Sequence, residues 1–166
     1  IGRGGSAGGD GGFSEISGKQ RLVMDGQVDL GADLGVNGQL LLDPKDILIT
    51  DGASSPGLTL LDVSDFTAAS LDAGFDRTRI ASSQLETWLE NASVTLQATN
   101  DIMFKAGVNV TTAANFVLTL QAGRSILLGE NVTLDLGGSF VATIDDNQGF
   151  APAGRDAGAA LFQMGM

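Results

Sequence analysis

Two carboxylate pairs are the residues whose types and spacing come closest to chemistry: Asp145 with Asp146, and Asp43 with Asp46. Paired carboxylates act as acid and base in enzymes that cleave polysaccharides. Such work needs the acids to converge in a groove. Both pairs here sit in stretches that read as turns, where Asp is favoured because its side chain bonds to nearby backbone. No catalytic residue is assigned, and a polysaccharide-degrading enzyme ranks last among the readings. The chain has no His and no Cys. That removes the commonest general base, the Ser-His-Asp arrangement, thiolate nucleophiles, thiolate metal sites and disulfides.

Other motifs are weaker. Gly8-Gly9-Asp10-Gly11-Gly12 has the composition of calcium-binding Gly/Asp repeats, but it does not recur at nine-residue spacing. It reads as turn-forming backbone, and no metal or cofactor residue is assigned. Asn91-Ala92-Ser93, Asn109-Val110-Thr111 and Asn131-Val132-Thr133 match the N-glycosylation triplet. Asn and Thr are also common in turns between strands, which accounts for the matches. Asn109 and Asn131 would form an amide ladder only if one turn slipped in register. No Gly-rich run leads into Lys-Ser or Lys-Thr, so there is no nucleotide loop.

The elements that would position these residues follow from composition. The chain holds 24 Gly, and 43% of its residues are hydrophobic but only 5% aromatic. Aliphatic and β-branched residues interleaved with Gly, Asn and Asp suit short strands joined by tight turns. Nine Lys and Arg face 20 Asp and Glu, a net charge of −11. That field repels phosphate, so nucleic acid is not an expected partner. No apolar run approaches the roughly 20 residues of a membrane span, so membrane insertion is not expected.

An internal repeat is the strongest signal. Val94–Val110 aligns on Leu118–Leu134 without a gap, an offset of 24 residues. Leu96 falls on Leu120, Ile102 on Ile126 and Val108 on Val132. These six form the expected structural stack. A repeat of three short strands cannot bury its inward side chains alone. Another layer about 4.8 Å above buries them, because that is the spacing of hydrogen-bonded strands. The expected fold is all-β, a right-handed parallel β-helix (solenoid), the hand taken from the general rule for parallel crossovers.

The organisation follows. Residues 1–166 read as one segment of a longer chain, opened by a Gly-rich start at 1–12. Short strands are expected at Phe13–Ser17, Arg21–Met24, Gln27–Leu30, Gln39–Asp43 and Asp46–Thr50, with a corner at Pro44-Lys45. Residues 53–92 break the pattern as an excursion from the solenoid wall, with a weak strand near 57–65 and a short helix near 82–91. Ser83 and Glu86 fit a capping box there, and Leu85, Trp88 and Leu89 share one face. Residues 145–158 read as a surface loop. Trp88, Asp145 and Asp146 are the candidate surface binding elements.

Four strings carry a resemblance. They are Gly11–Lys19, Leu40–Ile47, Leu96–Ile102 and Leu120–Ile126. Each is short, but together and in this order the chain resembles the repeat region of filamentous-haemagglutinin-like exoproteins of the two-partner secretion type, over roughly residues 9–165. The resemblance implies a secreted parallel β-helix on the exterior of a Gram-negative outer membrane. It implies an outer-membrane secretion partner, and a host or neighbouring-cell receptor or glycan as the parent's target. The expected function is a structural shaft segment that projects a binding or effector region from the cell. The alternative is a self-associating extracellular fibre, because an uncapped stack exposes strand edges that can pair end to end.

Overall fold

The computed structural model describes residues 1–19, 22–24, 26–51, 77–146 and 154–165. Short aliphatic runs bounded by Gly, Asn, Asp and Pro form strands of three to six residues: β1 (Phe13–Ser17), β2 (Gln39–Asp43), β3 (Ile47–Thr50), β4 (Thr78–Ala81), β5 (Ser93–Ala98), β6 (Ile102–Phe104), β7 (Asn109–Thr112), β8 (Leu118–Ala122), β9 (Ile126–Leu128), β10 (Thr133–Leu136), β11 (Phe140–Thr143) and β12 (Phe162–Met164). One helix, α1 (Ser82–Leu89), stands between β4 and β5. The strands gather in three sheets, ordered β1-β2-β5-β8-β11, β10-β7 and β12-β9-β6-β3-β4. Each pair within them is parallel.

The expected right-handed parallel β-helix is corrected by this topology. The architecture is three separate parallel sheets of five, two and five strands with a helix, not one continuous solenoid. The second sheet stops at two strands because α1 packs where the strand before β7 would lie. β4 follows β3 in the chain, yet it pairs on the side of β3 away from β6. The segment expected to leave the sheets thus returns a strand to the third one. The expected strands at 21–24 and 27–30 do not form among the described residues. The weak strand near 57–65 lies outside the described residues.

Register explains the core. β5 on β8 sets Val94 on Leu118, Leu96 on Leu120 and Ala98 on Ala122. β6 on β9 sets Ile102 on Ile126 and Phe104 on Leu128. All ten side chains are buried, within one cluster. Val108 is buried in that cluster, Val132 packs against it, and the Thr133 N–H donates to the Val108 carbonyl at 3.0 Å. Each buried Leu or Ile contributes about 1.5–3 kcal/mol by leaving water. Asn109 pairs with Thr133, so Asn109 and Asn131 do not form a ladder. Gly107 and Asn131 instead hold equivalent turn positions, both left-handed, with φ of 76° and 56°. Gly and Asn tolerate that conformation best.

The Gly-rich start is explained by close backbone approach. Gly2 and Gly4 donate their N–H groups to the carbonyls of Asp29 and Gly31 at 2.8 and 2.9 Å. A Cβ on Gly11 would lie 1.8 Å from the Leu30 carbonyl oxygen, and one on Gly38 would lie 2.0 Å from that of Gly12. No side chain fits at either place.

Candidate functional site: a charged ladder at the stacked corners

The densest polar arrangement lies where the first sheet turns into the third. The residue just before each third-sheet strand carries the pattern: Asp46 before β3, Asp101 before β6, Ser125 before β9 and Leu161 before β12. Parallel register puts these residues in one column. Asp46 Oδ1 accepts the Asp101 N–H at 3.2 Å. Asp101 Oδ1 accepts the Ser125 N–H at 3.1 Å, and Ser125 Oγ accepts the Leu161 N–H at 3.1 Å. Each side chain thus satisfies a backbone donor of the next layer, until Leu161 ends the series.

Charge closes the network. The Arg124 guanidinium forks onto Asp101, donating Nε to Oδ1 at 2.8 Å and Nη2 to Oδ2. Segment 154–161 folds back over the same corner. Asn100 donates Nδ2 to Asp156 at 2.8 Å and accepts the Asp156 N–H at 2.7 Å. Lys45 Nζ lies 3.1 Å from Asp156, and Arg124 Nη1 donates to the Ala157 carbonyl at 3.0 Å. Arg155 donates to the Gly123 carbonyl at 2.6 Å and pairs with Asp145. Asn100 is wholly buried and Asp101 nearly so.

Asp46, at the start of this column, and Asp156, packed over it, titrate in opposite directions. Burial raises the Asp46 carboxyl, with the Asp101 charge adding to it, against the pull of its hydrogen bonds and of Arg77. Burial also pushes Asp156 up, but Lys45, Asn100 and Arg124 outweigh it and hold the group below the usual carboxylate value. These carboxylates are engaged by cations or N–H groups already, which suits fastening rather than proton transfer. Among the described residues, no group of three or more His, Cys, Asp or Glu is arranged to hold a metal ion.

The candidate surface binding elements fall in three different places. Trp88, one of these candidates, is 1% exposed and donates Nε1 to the Gly26 carbonyl at 3.3 Å, so it packs against the core and does not present a binding surface. Its ring is core because α1 turns Leu85, Trp88 and Leu89 inward. Asp145 is exposed and bound to Arg155, whereas Asp146 is buried. Adjacent in sequence, they occupy unlike surroundings. Asp43 and Asp46 also diverge: Asp43 is raised by burial and by Glu15 on the neighbouring strand, and Asp46 faces Asn100 and Asp101. The capping box does not form. Ala81 is the helix N-cap, without a side-chain bond, and Glu86 instead accepts the Thr111 N–H of β7 at 2.8 Å. Asn91 donates to the Thr87 carbonyl at the helix end, and Asp10 accepts the Val36 N–H.

Sequence reasoning missed Asp101, Arg124, Asn100 and Asp156. The signal was available: Asp101 and Ser125 are 24 residues apart, one residue before Ile102 and Ile126. Arg124 precedes Ser125 directly, but its partner is a layer away. No described helix is long and apolar enough to cross a membrane. Compared with known proteins, the chain matches no family model, no curated protein and no solved structure.

Proposed function

We propose that this chain is a structural shaft segment of a large exported bacterial surface protein of the filamentous-haemagglutinin-like, two-partner secretion kind. Its work is mechanical: it holds a binding or effector region away from the outer membrane, toward a receptor or glycan on another cell. The observation that carries this reading is the in-register parallel stacking of like on like at the 24-residue offset, Leu96 on Leu120 and Ile102 on Ile126. Layers of that kind extend in one direction, and each contacts mainly its neighbours. The corner column supports the same reading, because its charges fasten layers together. The lack of Cys suits a chain that crosses a membrane unfolded.

The test is labelling of intact cells. An antibody to residues 93–136 is added to Gram-negative cells that express the parent chain with its outer-membrane partner. Labelling of unbroken cells, lost when the partner gene is deleted, is the expected result. Labelling only after the cells are made permeable overturns the reading.

A further inference from the structure

The corner where the first sheet turns into the third keeps a strict order until its last layer. The Asn100 N–H donates to the Lys45 carbonyl and the Arg124 N–H to the Asn100 carbonyl, both at 2.8 Å. The Asp145 N–H donates to the Arg124 carbonyl at 3.3 Å. Lys45, Asn100, Arg124 and Asp145 therefore stand one per layer in a single column. Asp46, Asp101 and Ser125 directly follow the first three in sequence. The residue above Ser125 is Leu161: its carbonyl accepts the Ile126 N–H at 2.9 Å, as the Ser125 carbonyl accepts that of Ile102. Residues 146–160 are thus an insertion at one corner of one layer.

The described part of this insertion runs back along the column, across the layers. Arg155 donates to the Gly123 carbonyl at 2.6 Å, and Arg124 Nη1 donates to the Ala157 carbonyl at 3.0 Å. One layer further back, Asn100 holds both the carboxylate and the N–H of Asp156, at 2.8 and 2.7 Å. One layer beyond that, Lys45 Nζ lies 3.1 Å from the same carboxylate. Lys45 and Asp145 are three strand spacings apart, roughly 14 Å. We propose that residues 154–161 are a clasp laid along the stack, which makes layers that do not touch one another open together.

Stacked layers ordinarily feel only their neighbours, so opening can begin in one layer and stop there. The clasp changes this through the way it is held. Its contacts are polar and partly exposed, so each is weak alone. Ordering the segment costs backbone entropy, which the contacts offset only as a set. Loss of the Lys45 contact therefore loosens the hold on Arg124 and on Leu161, three layers away. This inference rests on the mechanical reading proposed above only for the clasp's purpose: a pulled shaft peels less readily when its layers are tied. Its test uses the purified chain, so its failure is distinct from a failure of cell-surface labelling.

Hydrogen exchange at the Leu161 amide, which donates to Ser125 Oγ at 3.1 Å, reads the far end of the clasp. Lys45→Met removes the contact at the near end, and Arg155→Met removes those in the middle. Both side chains are partly exposed, so neither change disturbs the core. Each substitution is expected to speed exchange at Leu161 about tenfold. The double variant is expected to exchange no faster than the single ones, since a released clasp has nothing more to lose. In an Asp156→Ala background, neither substitution is expected to change the rate further. Exchange at Leu161 that stays at the wild-type rate in Lys45→Met overturns the proposal. So do effects that multiply in the double variant, or that persist in the Asp156→Ala background.

Discussion

Asp101 is the residue on which the corner depends. Its carboxylate takes the Arg124 fork and the Ser125 N–H together, in a nearly buried place. Asp101→Ala leaves that N–H and a half-buried guanidinium without their acceptor. Hydrogen bonds to charged groups contribute about 1.5–3 kcal/mol each, so a loss of about 3 kcal/mol is expected in denaturant unfolding. Ser125→Ala removes one neutral bond, to Leu161, and should cost about 1 kcal/mol. Equal losses from the two variants would show that the charge at Asp101 adds nothing.

Asp156 adds a pH dependence to the same corner. Its carboxyl titrates below its unfolded value, so its stabilising effect is present above the ordinary carboxylate range. That effect is lost as pH falls through the lowered folded value. Asp46 has the opposite sign. Its carboxyl is raised, so its cost is absent in acid and grows as pH climbs through the raised value. Acid should therefore loosen segment 154–161 specifically. The NMR signal of the Asn100 side-chain amide, which donates to Asp156, is expected to shift over that acid range and to lose the shift in Asp156→Asn. A shift that persists in the variant assigns the titration to another group.

At the scale of elements, α1 ends a sheet. In β7 the Thr112 carbonyl faces β10, so Thr111 turns its N–H the other way, toward the helix. Glu86 accepts that N–H and covers an edge that would otherwise offer itself to another strand. Glu86→Ala should cost about 1 kcal/mol, and the loss should appear as faster hydrogen exchange at the Thr111 amide. Unchanged exchange at Thr111 would mean that burial alone protects the edge.

This element also marks what the sequence makes legible. The 24-residue alignment is the register of β5 on β8, β6 on β9 and β7 on β10, because stacked layers demand like residues at like places. The helix near 82–91 was legible from Leu85, Trp88 and Leu89. Its role was not: Glu86 looks like a local cap until Thr111, 25 residues on, is brought beside it. The continuous β-helix was an over-extension of a repeat that is regular only over 93–136. Upstream, Gly-rich backbone takes the place of strand, and α1 displaces one. The corner network escaped notice because Asp46, Asn100, Arg124 and Asp156 meet only across layers, and turn composition explains each of them locally.

For the whole molecule, the question is whether layers are interchangeable. Excising residues 94–117 removes one 24-residue unit and joins Ser93 to Leu118. Register then brings β8 onto β2, with Leu118 on Leu40 and Leu120 on Leu42, where Val94 and Leu96 stood. In the third sheet, Ile126 replaces Ile102 on Ile47. Aliphatic meets aliphatic throughout, so the shortened chain should fold. The junctions worsen: the Asp101–Arg124 fork, the Asn100–Asp156 bonds and the Lys105–Asp51 pair are lost, and Glu86 comes to face β10 at Asp135 in place of Thr111. A loss of a few kcal/mol is expected from these together. The denaturant slope should fall by about one seventh, because 24 of 166 residues are removed and the slope follows the surface exposed on unfolding. Asp135→Thr in the excised chain should recover part of the stability, since it removes a carboxylate beside Glu86 and keeps the backbone N–H that Glu86 would accept. An excised chain that is unfolded even with that repair would mean the layers are individually fitted, and that stacking of like on like does not by itself hold this molecule together.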